Sequence, residues 1–226
     1  MKRIFIFLFY SFLFLGCSLM SATKLKVYRA RRHLQKNKQS AEPYGKIKKT
    51  KAKEPLFVIQ KHDASHLHYD LRFEVNGVLP SWAVPKGLPE KPGIRRLALP
   101  TDDHPMEYAH FEGIIPEGHY GGGTVMVWDI GTYNNIKEHN GKPVSMEQAI
   151  KEGSVEVFIK GKKIWGPFAL VKTKSLTDKE SWILLKMTKK IASEKKPVKK
   201  KIAKNVSVLS GRTLAQIAKD RDSVWD

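Results

Sequence analysis

Cysteine is almost missing from this chain of 226 residues: Cys17 stands alone. A single thiol excludes a disulfide framework and any thiolate-rich zinc site. Long apolar runs are also scarce, and the one from Ile4 to Leu15 is short for a transmembrane helix. A phosphate-binding P-loop is absent, because Gly121-Gly122-Gly123 lacks the preceding strand, the following helix and the lysine. Acidic residues are few beside basic ones, 22 against 41, for a formal net charge of +19. Such a charge points to polyanionic partners and says nothing about fold. What is present is ample core material: 41% hydrophobic and 10% aromatic residues exclude disorder along the whole chain.

The basic excess is unevenly spread. Residues 24–53 hold twelve Lys/Arg and one acid, Glu42, and residues 186–226 hold twelve Lys/Arg and four acids. Between them, residues 54–185 carry fifteen Lys/Arg against seventeen acids. The pattern is that of a near-neutral core with basic arms, and such arms bind phosphate backbones through counterion release, without sequence preference.

At the amino terminus, Lys2 and Arg3 precede the apolar run, and Gly16-Cys17 ends it. This reads either as an export signal, with Cys17 in a lipoprotein-like cleavage box, or as a segment upstream of a true start at Met20. The first reading gives an exported protein anchored at Cys17, and only then a membrane partner. The second gives a cytoplasmic one. Either way residues 1–20 stand outside the fold. The remainder divides into a basic arm (24–53), a core (54–187), a Lys-rich linker (188–209) and a short terminal helix (210–226).

The core has the texture of β structure. Apolar or alternating runs at 57–60, 67–75, 78–84, 96–99, 124–130, 155–159, 168–171 and 182–187 predict strands, and Asn76-Gly77 predicts a two-residue hairpin turn. Helical character is confined to 145–151 and 213–220, with a weaker stretch at 24–35. Many short strands and few helices predict a mainly β fold, an antiparallel β-barrel (or sandwich) with short flanking helices and basic terminal arms.

Chemistry concentrates between Gln60 and Glu74. Strand side chains alternate between faces, so Leu67, Tyr69, Leu71 and Phe73 share an apolar, core-directed face. His66, His68, Asp70, Arg72 and Glu74 share the other. A solvated strand face ordinarily carries Lys, Thr, Glu and Ser; this one carries imidazoles, a carboxylate and a guanidinium. Imidazole and carboxylate are ligands of divalent transition metals, and a neighbouring guanidinium suits a phosphate that the metal also touches. His62, ahead of the turn-like Asp63-Ala64-Ser65, is expected to fold back and complete a His62/His68/Asp70 set. Three protein ligands leave positions for water and substrate. A second polar cluster, Asp102 to Tyr108, offers His104 as a phosphate donor or as an acid toward a leaving oxygen. Lys86 and Arg96 are further core cations.

The segments Phe57-Val58-Ile59-Gln60-Lys61-His62 and Leu67-His68-Tyr69-Asp70-Leu71-Arg72 resemble the 3′-phosphoesterase module of bacterial DNA ligase D. So do Ser81–Gly87, Asp103-His104-Pro105, Phe111-Glu112-Gly113, Tyr120-Gly121, Val127-Trp128-Asp129 and Ser210–Leu214. The resemblance implies a β-barrel that resects 3′ ends of DNA or of DNA/RNA primer strands. It would remove a terminal ribonucleoside and then a 3′-phosphate, with Mn²⁺. It implies His62, His68 and Asp70 as metal ligands, with Arg72, Lys86, Arg96, His104 and Tyr108 holding the scissile phosphate or assisting its transfer. It also raises Ku and a DNA ligase as partners. One departure is His33, which stands where the family has an acid, and Glu42-Pro43 comes after a small insertion. The rival readings are a non-catalytic nucleic-acid-binding repair module, and a cupin-type metal oxygenase suggested by His66-Leu67-His68 with Glu74.

Overall fold

The computed structural model describes Leu25 and residues 54–173, 180–188 and 202–224. The signal-like segment 1–20, all of the basic arm but Leu25, and residues 189–201 of the linker lie outside the described residues.

Eight strands close into a barrel. β1 (Leu56–Asp63), β2 (Leu67–Phe73), β3 (Val78–Val84) and β4 (Arg95–Pro105) run as consecutive antiparallel neighbours. β4 pairs with β11 (Ser181–Lys186), β11 with β10 (Trp165–Thr173), and β10 with β9 (Ser154–Lys160). β9 pairs with the long β6 (Gly123–Asn135), which returns to β1 and shuts the ring. Closure removes the unpaired edges that an open sheet would present. Outside the ring lie β5 (Gly113–Ile115), paired with the start of β6, and a small β7/β8 ribbon (Glu138–His139 with Lys142–Pro143). The two α-helices among the described residues are short, α1 (Met146–Glu152) and α2 (Leu214–Asp220), and none is long and apolar enough to cross a membrane.

Alternation along the strands builds two apolar layers. Phe57, Ile59, Leu71, Phe73, Trp82, Val84, Ala98, Tyr133, Val157, Phe168, Leu170, Trp182 and Leu184 point into one cluster fed by every strand of the ring, which is therefore the barrel interior. Fully burying each large side chain contributes roughly 1.5–3 kcal/mol. The alternate positions Val58, Leu79, Val125 and Val127 face outward and are covered by the excursion between β4 and β6. That excursion comprises a 3₁₀ turn (Met106–His110), with Tyr108 and Ala109 packed down, followed by Phe111 and Ile115.

Two register shifts interrupt the ladders of the ring. Opposite Ile59-Gln60 of β1, β6 carries one extra residue, Trp128. Between the pairs Leu79/His104 and Ser81/Thr101, β4 carries one extra residue relative to β3. Bulges of this kind re-aim side chains and recur beside functional sites.

The carboxyl-terminal segment clasps the outside of β6. Residues 202–209, expected as linker, lie against the barrel: Val208 N–H donates to the Val127 carbonyl at 3.0 Å, and Trp128 Nε1 donates to the Lys204 carbonyl at 2.6 Å. Farther on, Ile114 N–H donates to the Ser223 carbonyl, and Glu112 accepts from Ser210 Oγ and from Arg212. A Cβ on Gly113 would collide with that Ser223 carbonyl, so only glycine allows the clasp to close.

Candidate metal and phosphate site

His62 and His68 are direct cross-strand partners in the β1/β2 hairpin, and Gln60 lies opposite Asp70. His62 thus reaches the group by strand pairing, rather than by folding back through the turn. The hairpin turn also leaves Leu67 exposed and places His66 in the bend before β2, off the polar face predicted for it. Glu74 closes the far end of the hairpin, accepting Leu56 N–H at 2.8 Å.

The ligand atoms of His62, His68 and Asp70 lie within 4.8 Å of one another. His62 Nδ1 and His68 Nε2 each stand 3.6 Å from an Asp70 oxygen. The donor set fits a divalent ion on two further counts. His68 Nδ1 is 2.8 Å from the His66 carbonyl, which can only accept, so Nδ1 carries a proton and Nε2 is the nitrogen turned toward Asp70. His62 Nε2 is buried without a hydrogen-bond partner among the described residues. Burial alone would raise the Asp70 carboxyl. The Arg72 guanidinium, a hydrogen bond from His62 and the charges of His68 and His62 outweigh it and hold the group well below the usual carboxylate range.

Arg72 is 2% exposed and organises the rest of the face. Its Nε donates to Gln60 Oε1 at 2.8 Å, one terminal nitrogen donates to Ser81 Oγ at 2.8 Å, and the other donates to Asp70 at 3.0 Å. The nitrogen that reaches Ser81 also lies 2.9 Å from His104 Nδ1. With five N–H groups, three firm donations and a fourth contact that depends on the His104 tautomer, the guanidinium has at least one N–H uncommitted. Tyr108 lies over it, ring centroid 5.0 Å from Cζ, and contacts the His104 ring at 4.8 Å.

His104 owes its position to the β4 bulge. Its Nδ1 faces the Arg72 donor at 2.9 Å and the Asp102 carbonyl at 2.7 Å. The first contact requires a bare nitrogen and the second a protonated one, so only one is a hydrogen bond at a time.

Two residues of this network escaped the sequence reading. Gln60 ties the guanidinium to the covering turn, donating through Nε2 to the Tyr108 and Phe111 carbonyls, each at 3.0 Å. Ser81 sits directly opposite Arg72. Gln60 was findable: it is the polar member of an otherwise apolar run and shares its parity with His62.

Lys86 and Arg96 fall elsewhere. Lys86 is exposed in the turn after β3, and Arg96 shares the inward face of β4 with Ala98. Neither hydrogen-bonds to the Asp70–Arg72 group among the described residues.

Comparison with known proteins bears on this arrangement. A sequence model described as the DNA Ligase D 3′-phosphoesterase domain matches residues 60–172. The chain is 40% identical over 150 residues to the multifunctional non-homologous end joining protein LigD of Pseudomonas aeruginosa, covering 66% of this chain and 17% of that one. It is 43% identical over 152 residues to the multifunctional non-homologous end joining DNA repair protein LigD of Mycobacterium tuberculosis, covering 67% and 19%. With the Mycolicibacterium smegmatis protein, identity is 40% over 166 residues, covering 74% and 21%. The chain spans about a fifth of the length of these relatives. Two-thirds of its residues align with theirs, and the span 60–172 takes in the hairpin from Gln60 onward, the β4 bulge and the covering turn. The chain belongs to the DNA ligase D 3′-phosphoesterase domain family.

Proposed function

We propose that this protein is a metal-dependent phosphoesterase of nucleic-acid 3′ ends, removing a terminal ribonucleoside and then the 3′-phosphate to leave a 3′-OH for ligation. The observation that carries the reading is the convergence, on one face of one hairpin, of three candidate metal ligands with a buried guanidinium 3.0 Å from Asp70. His62, His68 and Asp70 would hold Mn²⁺, which when bound supplies a Lewis acid for a phosphoryl oxygen.

The chain's own groups do the remainder. Arg72 offers its spare N–H and its charge to the phosphoryl oxygens as negative charge grows, and loss of one such contact costs about 3–4 kcal/mol, or 10²–10³ in rate. His104 can protonate a leaving oxygen. Ser81 Oγ is committed, donating to the Leu79 carbonyl at 2.7 Å while accepting from Arg72. It is no free nucleophile, which favours attack by water. The reading places the protein in end joining, with Ku and a DNA ligase as partners, and it favours a cytoplasmic chain starting at Met20 over one anchored at Cys17.

The test is incubation of the purified protein with primer–templates ending in a single ribonucleotide or a 3′-phosphate, with Mn²⁺, Zn²⁺ or chelator. Release of nucleoside and phosphate in Mn²⁺, lost with chelator and in His62→Ala, is expected. Salt-sensitive binding without turnover in any metal would reject the enzymatic reading.

A further inference from the structure

One mouth of the barrel gathers cations that the metal site does not use. Lys61 lies between Gln60 and His62, and Tyr69 between His68 and Asp70, so both point across the rim to the face opposite the metal group. Around the same rim stand Arg96 of β4, Lys186 of β11, Lys163 of the β9–β10 turn and the bulged Trp128 of β6. The ammonium groups are set over rings: Lys163 Nζ is 4.9 Å from the Trp128 centroid, Lys61 Nζ 5.9 Å from Tyr69, and Lys186 Nζ 5.7 Å from Phe168. Tyr69 meets Trp128 edge to face at 5.4 Å.

Among the described residues no acid pairs with Lys61, Lys163 or Lys186; Lys163 Nζ donates to the Lys204 and Val206 carbonyls and Lys186 Nζ to the Glu90 carbonyl, contacts that leave their charges uncompensated. Asp129 spends its oxygens on four backbone N–H groups. Glu90 is taken by Lys204 at 2.5 Å, although Arg96 also feels its charge. Arg96 Nε is buried without a hydrogen-bond partner among the described residues. The crowding registers on Lys163, whose ammonium is lowered to about 8 by burial and by the charge of Lys61, against the pull of Asp129. Cations converging on one mouth of a barrel, with aromatic faces between them, form a site built for alternating phosphates and bases.

We propose that this mouth is a second nucleic-acid contact, holding the substrate strand upstream of its 3′ end while the terminal phosphate lies across the rim at the metal group. The strand's phosphates pair with Lys61, Lys163 and Lys186, and a base packs on Trp128 and Tyr69. The inference rests on the phosphoesterase reading and deepens it: it predicts a preference for a polynucleotide over a bare terminal nucleotide. It also gives Arg96 a part in strand binding, away from the scissile phosphate.

The test compares the full chain with the triple variant Lys61→Gln/Lys163→Gln/Lys186→Gln, which keeps the aliphatic stems. Binding of a fluorescein-labelled primer–template is followed by anisotropy across a KCl series with chelator present. Turnover in Mn²⁺ is followed on a 3′-phosphorylated 20-mer and on a 3′-phosphorylated dinucleotide. Affinity for the primer–template should fall at least tenfold, and the slope of log affinity against log salt should flatten by about 2–3, near 0.9 per lost contact. kcat on the dinucleotide should stay unchanged. Quenching of tryptophan fluorescence by oligonucleotide should weaken in Trp128→Phe, which reports on the mouth without altering its charge. An unchanged salt slope together with unchanged quenching would overturn the proposal. Failure of the wild type to release anything from either substrate would instead sink the phosphoesterase reading, and the salt slope would still decide the mouth on its own.

Discussion

Two buried carboxylates sit on different strands of the ring and do different work. Asp129, 0% exposed, is enclosed by backbone: the N–H groups of Ile130, Lys162, Lys163 and Ile164 donate to it at 2.7–3.0 Å and pin the β9–β10 turn to β6. Asp70, 5% exposed, is enclosed by side chains that themselves titrate, coordinate or carry charge. The first arrangement has no capacity left for a ligand. The second leaves one imidazole nitrogen, His62 Nε2, without a hydrogen-bond partner among the described residues. The identity of the donors, more than burial, separates a staple from a candidate site.

The comparison can be broken most sharply by substituting both acids. Asp70→Asn should lower Mn²⁺-dependent phosphate release by about 10³-fold or more while moving the urea midpoint only modestly, since the amide oxygen still accepts from Arg72. Asp129→Ala should do the reverse. Its four orphaned N–H groups, partly rescued by water, should cost about 3–4 kcal/mol of stability, read by urea unfolding, with kcat per folded molecule near normal. Loss of activity without loss of stability in Asp129→Ala would erase the distinction. Next in size, Gln60→Ala should slow turnover roughly 10–100-fold by freeing Arg72 from the Tyr108 and Phe111 carbonyls. Restoration of kcat by Gln60→Glu, which keeps only the acceptor for Arg72, would show that the acceptor outweighs the two carbonyl contacts.

The smallest effect is one of pH. Lys163 in the folded chain sits near 8, below its ordinary 10.5. Between those values the unfolded chain binds more protons, so this residue's contribution to stability rises with pH across that window. Below pH 8 both states hold the proton and the penalty is complete. The stability difference between the wild type and Lys163→Met, read by urea unfolding, should therefore shift in favour of the wild type as pH rises from 7.5 to 10.

Much of the fold was legible because the signals were local. The alternation of Leu67–Phe73 and the Asn76-Gly77 turn, whose φ values of +53° and +79° suit those residues, set the second hairpin without help from the rest of the chain. Ser145 and Thr213 cap the two helices as their side chains suggest. The face shared by His68, Asp70 and Arg72 comes from strand period alone. Less legible were features decided by distant pairing. The bulge that aims His104 exists only against β3, and the 3₁₀ turn that roofs Arg72 has no period. The inward direction of Arg96 depends on its register with Leu184 of β11. A cation's neighbours cannot be read from its own stretch of chain when ring closure chooses them.

All three candidate ligands belong to one hairpin, residues 56–73, whose register the turn and the β1/β2 ladder fix by themselves. The rest of the chain contributes Ser81 and His104 beside the guanidinium, the roof, and the far side of the mouth, which the hairpin shares through Lys61 and Tyr69. On the proposed reading, the ligand set is encoded in one short stretch of chain, while substrate contacts draw on that stretch and on several others. On that reading, preference among termini is free to drift through changes in β4 and β11 while the three candidate ligands stay in place.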